Sequence, residues 1–119
     1  MWTLVKEFRF EASHRLPNHD GKCARLHGHS WIGKAYLAGA HLVEDGSERG
    51  MLIDYSNIAE PIKALVEEQL DHYHLNNILE NPTSEVVAQW IFEQLKPKLP
   101  MLTAIEICET CTTRCLYSP

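Results

Sequence analysis

Trp2-Thr3-Leu4-Val5-Lys6-Glu7-Phe8-Arg9-Phe10-Glu11-Ala12-Ser13-His14 opens the chain with a period of two. Its even positions Trp2, Leu4, Phe8, Phe10 and Ala12 are apolar apart from Lys6, and its odd positions carry Thr3, Glu7, Arg9 and Glu11. Alternation of this kind is the mark of a strand with one face buried. His14 shares the parity of Phe10 and Ala12, so a strand that continues this far brings an imidazole out of the buried face at its end. The alternative is a histidine in a loop, because the turn-like run Pro17-Asn18-His19-Asp20-Gly21 follows closely.

The next informative stretch is Cys23-Ala24-Arg25-Leu26-His27-Gly28-His29. If the chain is extended from His27 onward, His27 and His29 face the same way about 7 Å apart and can converge on one small ion. Two ligands do not hold a zinc ion, and His14 is the candidate third. Three histidines leave a fourth position open to water or substrate. Cys23 has two readings that spacing does not separate: a fourth ligand that closes a structural site, or an activated thiolate beside the metal.

Outward from these stretches, Ser30 to His41 reads as a second strand, with Gly33 and Gly39 marking bulges or bends. The polar run Glu44 to Gly50 is a surface connection leading to the short apolar Met51-Leu52-Ile53. Asp54 or Ser56 can cap a helix running to about Leu70, on which Ile58, Ile62, Leu65, Val66 and Leu70 recur at helical spacing. Pro61 fits only a first turn, so that helix starts late or kinks. A second helix follows Asn81-Pro82-Thr83, with Val86, Val87, Trp90, Ile91 and Leu95 as its stripe, and it ends near Lys96 before Pro97 and Pro100. Leu102 to Cys111 reads as a strand in which Glu109 continues the face of Ile105 and Ile107; a carboxylate there is either paired or bound, or the strand has already reached solvent. Leu116-Tyr117 allows one more short strand. The expectation is α+β: one domain over residues 1–119, an antiparallel sheet with two helices packed on one face, and open edges that favour self-association.

Sixteen acids against eleven bases give a formal charge of −5, which argues against nucleic acid as the partner and leaves room for a small phosphorylated ligand. The longest mostly apolar stretch, Tyr36 to Val43, is far short of the roughly 20 residues that span a bilayer. The first residues lack the pattern of a signal peptide, so a cytoplasmic location is the default expectation. The chain has four cysteines, expected to be thiols, metal ligands or catalytic groups rather than disulfides. Cys108-x-x-Cys111-x-x-x-Cys115 lacks a fourth ligand of matching spacing, which favours small thiols over a second metal or an iron–sulfur cluster. Asp71-His72-Tyr73-His74, where the first helix gives out, reads either as an acid–base pair or as a polar helix terminus.

Taken together, Phe10-Glu11-Ala12-Ser13-His14-Arg15-Leu16, Cys23-x-x-x-His27-Gly28-His29, Gly50-Met51-Leu52-Ile53-Asp54-Tyr55, Leu70-Asp71-His72-x-x-Leu75-Asn76, Asn81-Pro82-Thr83-Ser84-Glu85 and Glu109-Thr110 resemble the 6-pyruvoyl-tetrahydropterin synthase family, most closely its bacterial 6-carboxy-5,6,7,8-tetrahydropterin synthase branch of queuosine biosynthesis. The resemblance implies that His14, His27 and His29 bind catalytic zinc, that Cys23 abstracts a proton, and that Asp71 and His72 form a second acid–base unit. It also implies that Glu109 anchors a pterin in a pocket lined by Thr83 and Ser84. The implied fold is the tunnelling fold, a homo-oligomer usually built as two stacked trimers, a hexamer, with active sites between subunits.

Three residues, Ala24, Arg25 and Leu26, separate Cys23 from His27, and this spacer resembles the carboxy-tetrahydropterin type. The implied reaction is a zinc-dependent lyase step that converts 7,8-dihydroneopterin triphosphate to 6-carboxy-5,6,7,8-tetrahydropterin and releases acetaldehyde and triphosphate. Arg15, Lys22 and Arg25 are the nearest basic candidates for the triphosphate. The competing readings are pyruvoyl-tetrahydropterin synthesis, which keeps the side-chain carbons, and a non-catalytic structural zinc module.

Overall fold

A computed structural model describes residues 1–119. Two long strands dominate it: β1 (Trp2–His14) and β2 (His27–Gly39) pair antiparallel from Trp2 opposite Gly39 to His14 opposite His27. The chain then runs through α1 (Tyr55–Leu65), β3 (Tyr73–His74), α2 (Ser84–Leu95), β4 (Leu102–Cys108) and β5 (Cys115–Tyr117). The sheet order is β3-β1-β2-β4-β5. All neighbours are antiparallel except β3, which pairs parallel to β1 through Ala12 opposite Tyr73 and Ser13 opposite His74. This two-residue strand has no signal in the hydrophobic pattern, because so short a pairing carries no period.

The alternation read in β1 is the alternation built. Phe8, Phe10, Ala12 and His14 are buried, while Glu7, Arg9 and Glu11 between them are exposed. Trp31, Ala35 and Leu37 on β2 and Ile105 and Ile107 on β4 complete the covered face, against which Ile58, Ile62, Val87, Ala88, Ile91 and Leu95 of the helices pack in one twenty-residue cluster. Helices of 11 and 12 residues are each under about 20 Å long, whereas thirteen-residue strands extend for about 43 Å. The hairpin therefore runs out past its helices, and the molecule is elongated, 55 × 24 × 24 Å.

Several local expectations are corrected. α1 is capped by Asp54, whose Oδ1 accepts from Ser56 N at 2.9 Å, and its α-helical part Tyr55–Leu65 continues without a break to the expected end at Leu70, the last turn having changed type. Residues 66–70 form a π-helical turn closed by Asp71 N donating to Val66 O at 2.8 Å, five residues back. Pro61 lies inside α1, as its seventh residue. On α2, capped by Thr83, the buried positions are Val87, Ala88, Ile91, Phe92 and Leu95, while Val86 faces outward. Gly33 marks no bulge: it pairs regularly with Phe8, and a Cβ there would meet the Phe8 ring at 2.2 Å. The irregularity in β2 falls between Tyr36 and Leu37.

β4 ends at Cys108, one residue before Glu109. Cys23, Cys108, Cys111 and Cys115 are free thiols, as composition led one to expect, with Cys108 buried and Cys111 exposed. No helix is long and apolar enough to cross a membrane.

Candidate metal centre and its surroundings

Register alone brings the three histidines together. His14 pairs with His27 at the end of the hairpin, and His29, two residues along β2, sits opposite Ala12. All three project from the face that carries the core, beyond the reach of the helices. Their ring centroids are 4.5 to 5.1 Å apart, and one nitrogen from each falls within 4.8 Å of the others.

The rings are oriented by backbone carbonyls. His14 Nδ1 lies 2.8 Å from Pro82 O and His27 Nδ1 lies 2.7 Å from Arg25 O. A carbonyl only accepts, so each Nδ1 carries the hydrogen and each Nε2 presents a lone pair. His14 Nε2 and His29 Nε2 are buried with no hydrogen-bond partner. Burial holds the His14 and His29 imidazoles below the usual histidine pKa, and the neighbouring rings add to the effect; Glu109 opposes it at both. Neutral imidazoles with convergent, unpartnered lone pairs fit a divalent cation of the zinc type. Cys23 does not belong to the three-residue cluster, which leaves the site open on one side.

Glu109 completes the arrangement. Just past β4, its Oε2 stands 3.6 Å from His29 Nε2, too long for a hydrogen bond. With Ser84, Glu85, Thr113, Arg114 and Cys115 it lines a cavity of about 330 Å³. Ser84 Oγ donates to Glu85 Oε1 at 2.8 Å, and Thr83 Oγ1 caps α2 by accepting from Val86 N at 3.2 Å. Thr83 thus holds the helix end rather than lining that cavity. Cys23, half-buried in the 3₁₀ turn Lys22–Ala24, shares a second cavity with Lys22, Arg25, Leu26, His27 and His29.

Asp71 and His72 stand elsewhere. Asp71 Oδ1 accepts from Glu11 N at 2.8 Å, and His72 N donates to Glu11 O at 2.6 Å, so one residue of β1 grips both. Asp71 Oδ2 then lies 3.0 Å from His72 Nδ1. The Glu11 amide hydrogen bond is the main cause holding the Asp71 carboxyl below its ordinary pKa, with His72 contributing less. His72 has a φ of 64°, a left-handed conformation uncommon for a side-chain-bearing residue and found disproportionately at functional sites. Its ring is largely exposed and lines a third cavity with Glu11, Ser30, His29 and His74. Within one chain, Cys23 and His72 open onto different cavities that have only His29 in common.

Sequence reasoning missed the parts that orient the named residues: Pro82 O and Arg25 O behind the imidazoles, Glu11 beneath the Asp71–His72 turn, and the hydrogen bond between Ser13 Oγ and His74 Nδ1 at 3.0 Å. All of these residues lay within stretches already singled out, but not for these contacts. A separate apolar cavity lined by Trp2, Leu4, Leu42, Met51 and Leu52 lies at the far end of the hairpin and holds none of this chemistry.

The family model of 6-pyruvoyl tetrahydropterin synthase matches residues 3–119. The chain belongs to that family. It is 49% identical over 120 residues to the 6-carboxy-5,6,7,8-tetrahydropterin synthase of Synechocystis sp., a match that spans 98% of this chain and 93% of the relative. The protein of that name from Haemophilus influenzae is 30% identical, over 98% of this chain and 99% of its own. Among solved structures, 6-pyruvoyl tetrahydropterin synthase of Caenorhabditis elegans superposes with a TM-score of 0.84 at 28% identity, covering 99% of this chain and 95% of that one. The α+β fold read from the sequence is the fold of this family.

Proposed function

We propose that the chain is a cytoplasmic zinc enzyme that turns 7,8-dihydroneopterin triphosphate and water into 6-carboxy-5,6,7,8-tetrahydropterin, acetaldehyde and triphosphate, as a step toward queuosine. The observation that carries this reading is the surroundings of His29: an unpartnered imidazole nitrogen between two further imidazoles and the Glu109 carboxylate. The near-full-length likeness to the Synechocystis enzyme supports the choice of reaction.

Zinc held by His14, His27 and His29 would supply a Lewis acid to the hydroxyls of the substrate side chain. Glu109 accepts two parallel hydrogen bonds from the guanidine-like edge of the pterin, with Ser84 and Thr83 nearby. Cys23, which shares a cavity with His27 and His29, takes a proton from the side chain. Asp71 fixes the His72 ring through Nδ1 and leaves its other nitrogen free to move a proton on the far side. Since Cys23 and His72 open onto different cavities, the two meet across protomers of a homo-oligomer, a hexamer of two trimers, joined along the open edges beside β3 and β5. The domain acting in this way is the whole of residues 1–119.

The likeness to the nematode synthase favours one competing reaction, in which triphosphate is eliminated and the side-chain carbons are kept. Incubating zinc-loaded protein with 7,8-dihydroneopterin triphosphate separates the two. Acetaldehyde and triphosphate are expected in equal amounts. Triphosphate without acetaldehyde would overturn the lyase reading in favour of the pyruvoyl one.

A further inference from the structure

We infer that Lys22 and Arg25 form the seat for the substrate's triphosphate, an inference that rests on the reaction proposed above. In a 3₁₀ turn residues three apart lie one above the other, so Lys22 and Arg25 share a side of the turn that carries Cys23. Arg25 N donates to Lys22 O at 3.0 Å, Ala24 N to Gly21 O at 3.2 Å and Leu16 N to Cys23 O at 2.8 Å, which pins the turn against the end of β1. Both bases line the same cavity as Cys23, His27 and His29, about 390 Å³ in volume.

Neither base has an ion pair within the chain, although the acids outnumber the bases by five. Arg9, Lys34, Lys63 and Arg114, by contrast, each stand within 4 Å of a carboxylate. Two free cations at the rim of a cavity in an acidic protein call for an anion.

The direction fits the substrate. Glu109, 3.6 Å from His29, and Ser84 line one cavity, and Lys22 and Arg25 line another that His27 and His29 also line, so a molecule with its pterin at Glu109 and its reacting carbons at the histidines can place its far end at the two bases. Arg15, the third basic candidate, is not among the residues lining this cavity; its backbone N and O are both held by the Asn76 side chain. Lys22 and Arg25 would bind a chain of phosphates and hold it as it departs.

The test compares Lys22→Ala, Arg25→Ala and their double variant with the wild-type zinc-loaded enzyme. Inorganic triphosphate and unphosphorylated 7,8-dihydroneopterin serve as competitive inhibitors. The KM for 7,8-dihydroneopterin triphosphate is expected to rise about tenfold in each single variant and about a hundredfold in the double, the scale of one lost charge-assisted hydrogen bond per side chain. Inhibition by triphosphate should weaken in parallel, inhibition by dihydroneopterin should stay unchanged, and Arg25→Lys should recover most of the loss. Lys98→Ala, which removes a base between α2 and β4, controls for net charge.

Unchanged triphosphate inhibition in the double variant, or equal weakening of both inhibitors, would overturn the assignment. Calorimetric binding of inorganic triphosphate keeps the two proposals apart. A wild type that makes no acetaldehyde yet loses triphosphate binding in the double variant refutes the reaction and keeps the seat. Acetaldehyde production with unaltered triphosphate affinity does the reverse.

Discussion

The β1–β2 hairpin carries two chemistries on one face. Under the helices that face consists of Phe8, Phe10, Trp31, Ala35 and Leu37, all buried and packed. Past the helices the same parity delivers His14, His27 and His29, two of them with buried nitrogens that no protein atom satisfies. An unmet buried nitrogen costs about 1–3 kcal/mol, and the apolar half leaves none. Trp31 marks the boundary. It stacks on Phe10 with centroids 5.7 Å apart, presents its edge to His14 and His29 at 5.0 and 5.4 Å, and donates from Nε1 to Ala12 O at 3.1 Å. A single register thus both packs the core and brings the three histidines together, so activity and stability can be perturbed separately by choosing the half.

Cys23→Ala acts on the histidine half alone. If Cys23 abstracts the proton as proposed above, its loss lowers kcat/KM about 10³-fold, equivalent to about 4 kcal/mol of transition-state stabilisation. The melting temperature should not move, since Cys23 is outside the core cluster. Steady-state acetaldehyde release checks it, and a loss smaller than tenfold would remove Cys23 from the chemistry.

Metal removal tests whether the two halves are separable. None of the three histidines belongs to the twenty-residue cluster. Chelation is therefore expected to abolish turnover while leaving the far-ultraviolet circular dichroism and a cooperative melt in place. The melt should shift down by about 3 kcal/mol, the stabilisation given by a ligand present at a hundred times its Kd. Unfolding on chelation would break the separation and return the site to a structural role.

Gly33→Ala probes the apolar half. The added Cβ would lie 2.2 to 2.7 Å from three Phe8 ring atoms, so the ring must leave its place between the strands and the helices. A cost of about 2 kcal/mol is expected in urea denaturation, with turnover per folded molecule retained. A variant that is fully stable but inactive would show that the packed half reaches into the chemistry.

The sequence displays the hairpin and its covered face because period-two alternation is a direct projection of side-chain direction. His14 inherits its place from the parity of Phe10 and Ala12, and His27 and His29 inherit theirs from being two residues apart. Glu109 is legible for the same reason, as the next odd position after Ile105 and Ile107. What alternation does not carry is anything set by backbone atoms. The carbonyls of Pro82 and Arg25 that orient two imidazoles, the parallel β3 pairing and the π-helical turn after Leu65 leave no periodic trace. The stripe assigned to α2 erred at Val86 and missed Ala88 and Phe92, because spacing fixes a helix face only to within about one residue in rotation.

Asp71→Asn is expected to have the smallest effect on stability, and it sharpens the contrast by acting at the sheet's edge, outside both halves. The amide oxygen of Asn can still accept from Glu11 N, so the substitution removes the charge and keeps the hydrogen-bond geometry. Asp71 has its pKa lowered in the folded chain, mainly by the Glu11 amide, from an ordinary value of 3.8. A depressed carboxyl stabilises the fold above the unfolded value, and that contribution is lost as pH falls through the folded one. Wild type should therefore melt slightly above the variant at pH 7, by about 2 °C, with the same gap at pH 5.5 and a narrowing gap below 3.8. A gap that widens in acid would mean that Asp71 is held by something other than its charge, and the Glu11 grip on the Asp71–His72 turn would then owe nothing to ionisation.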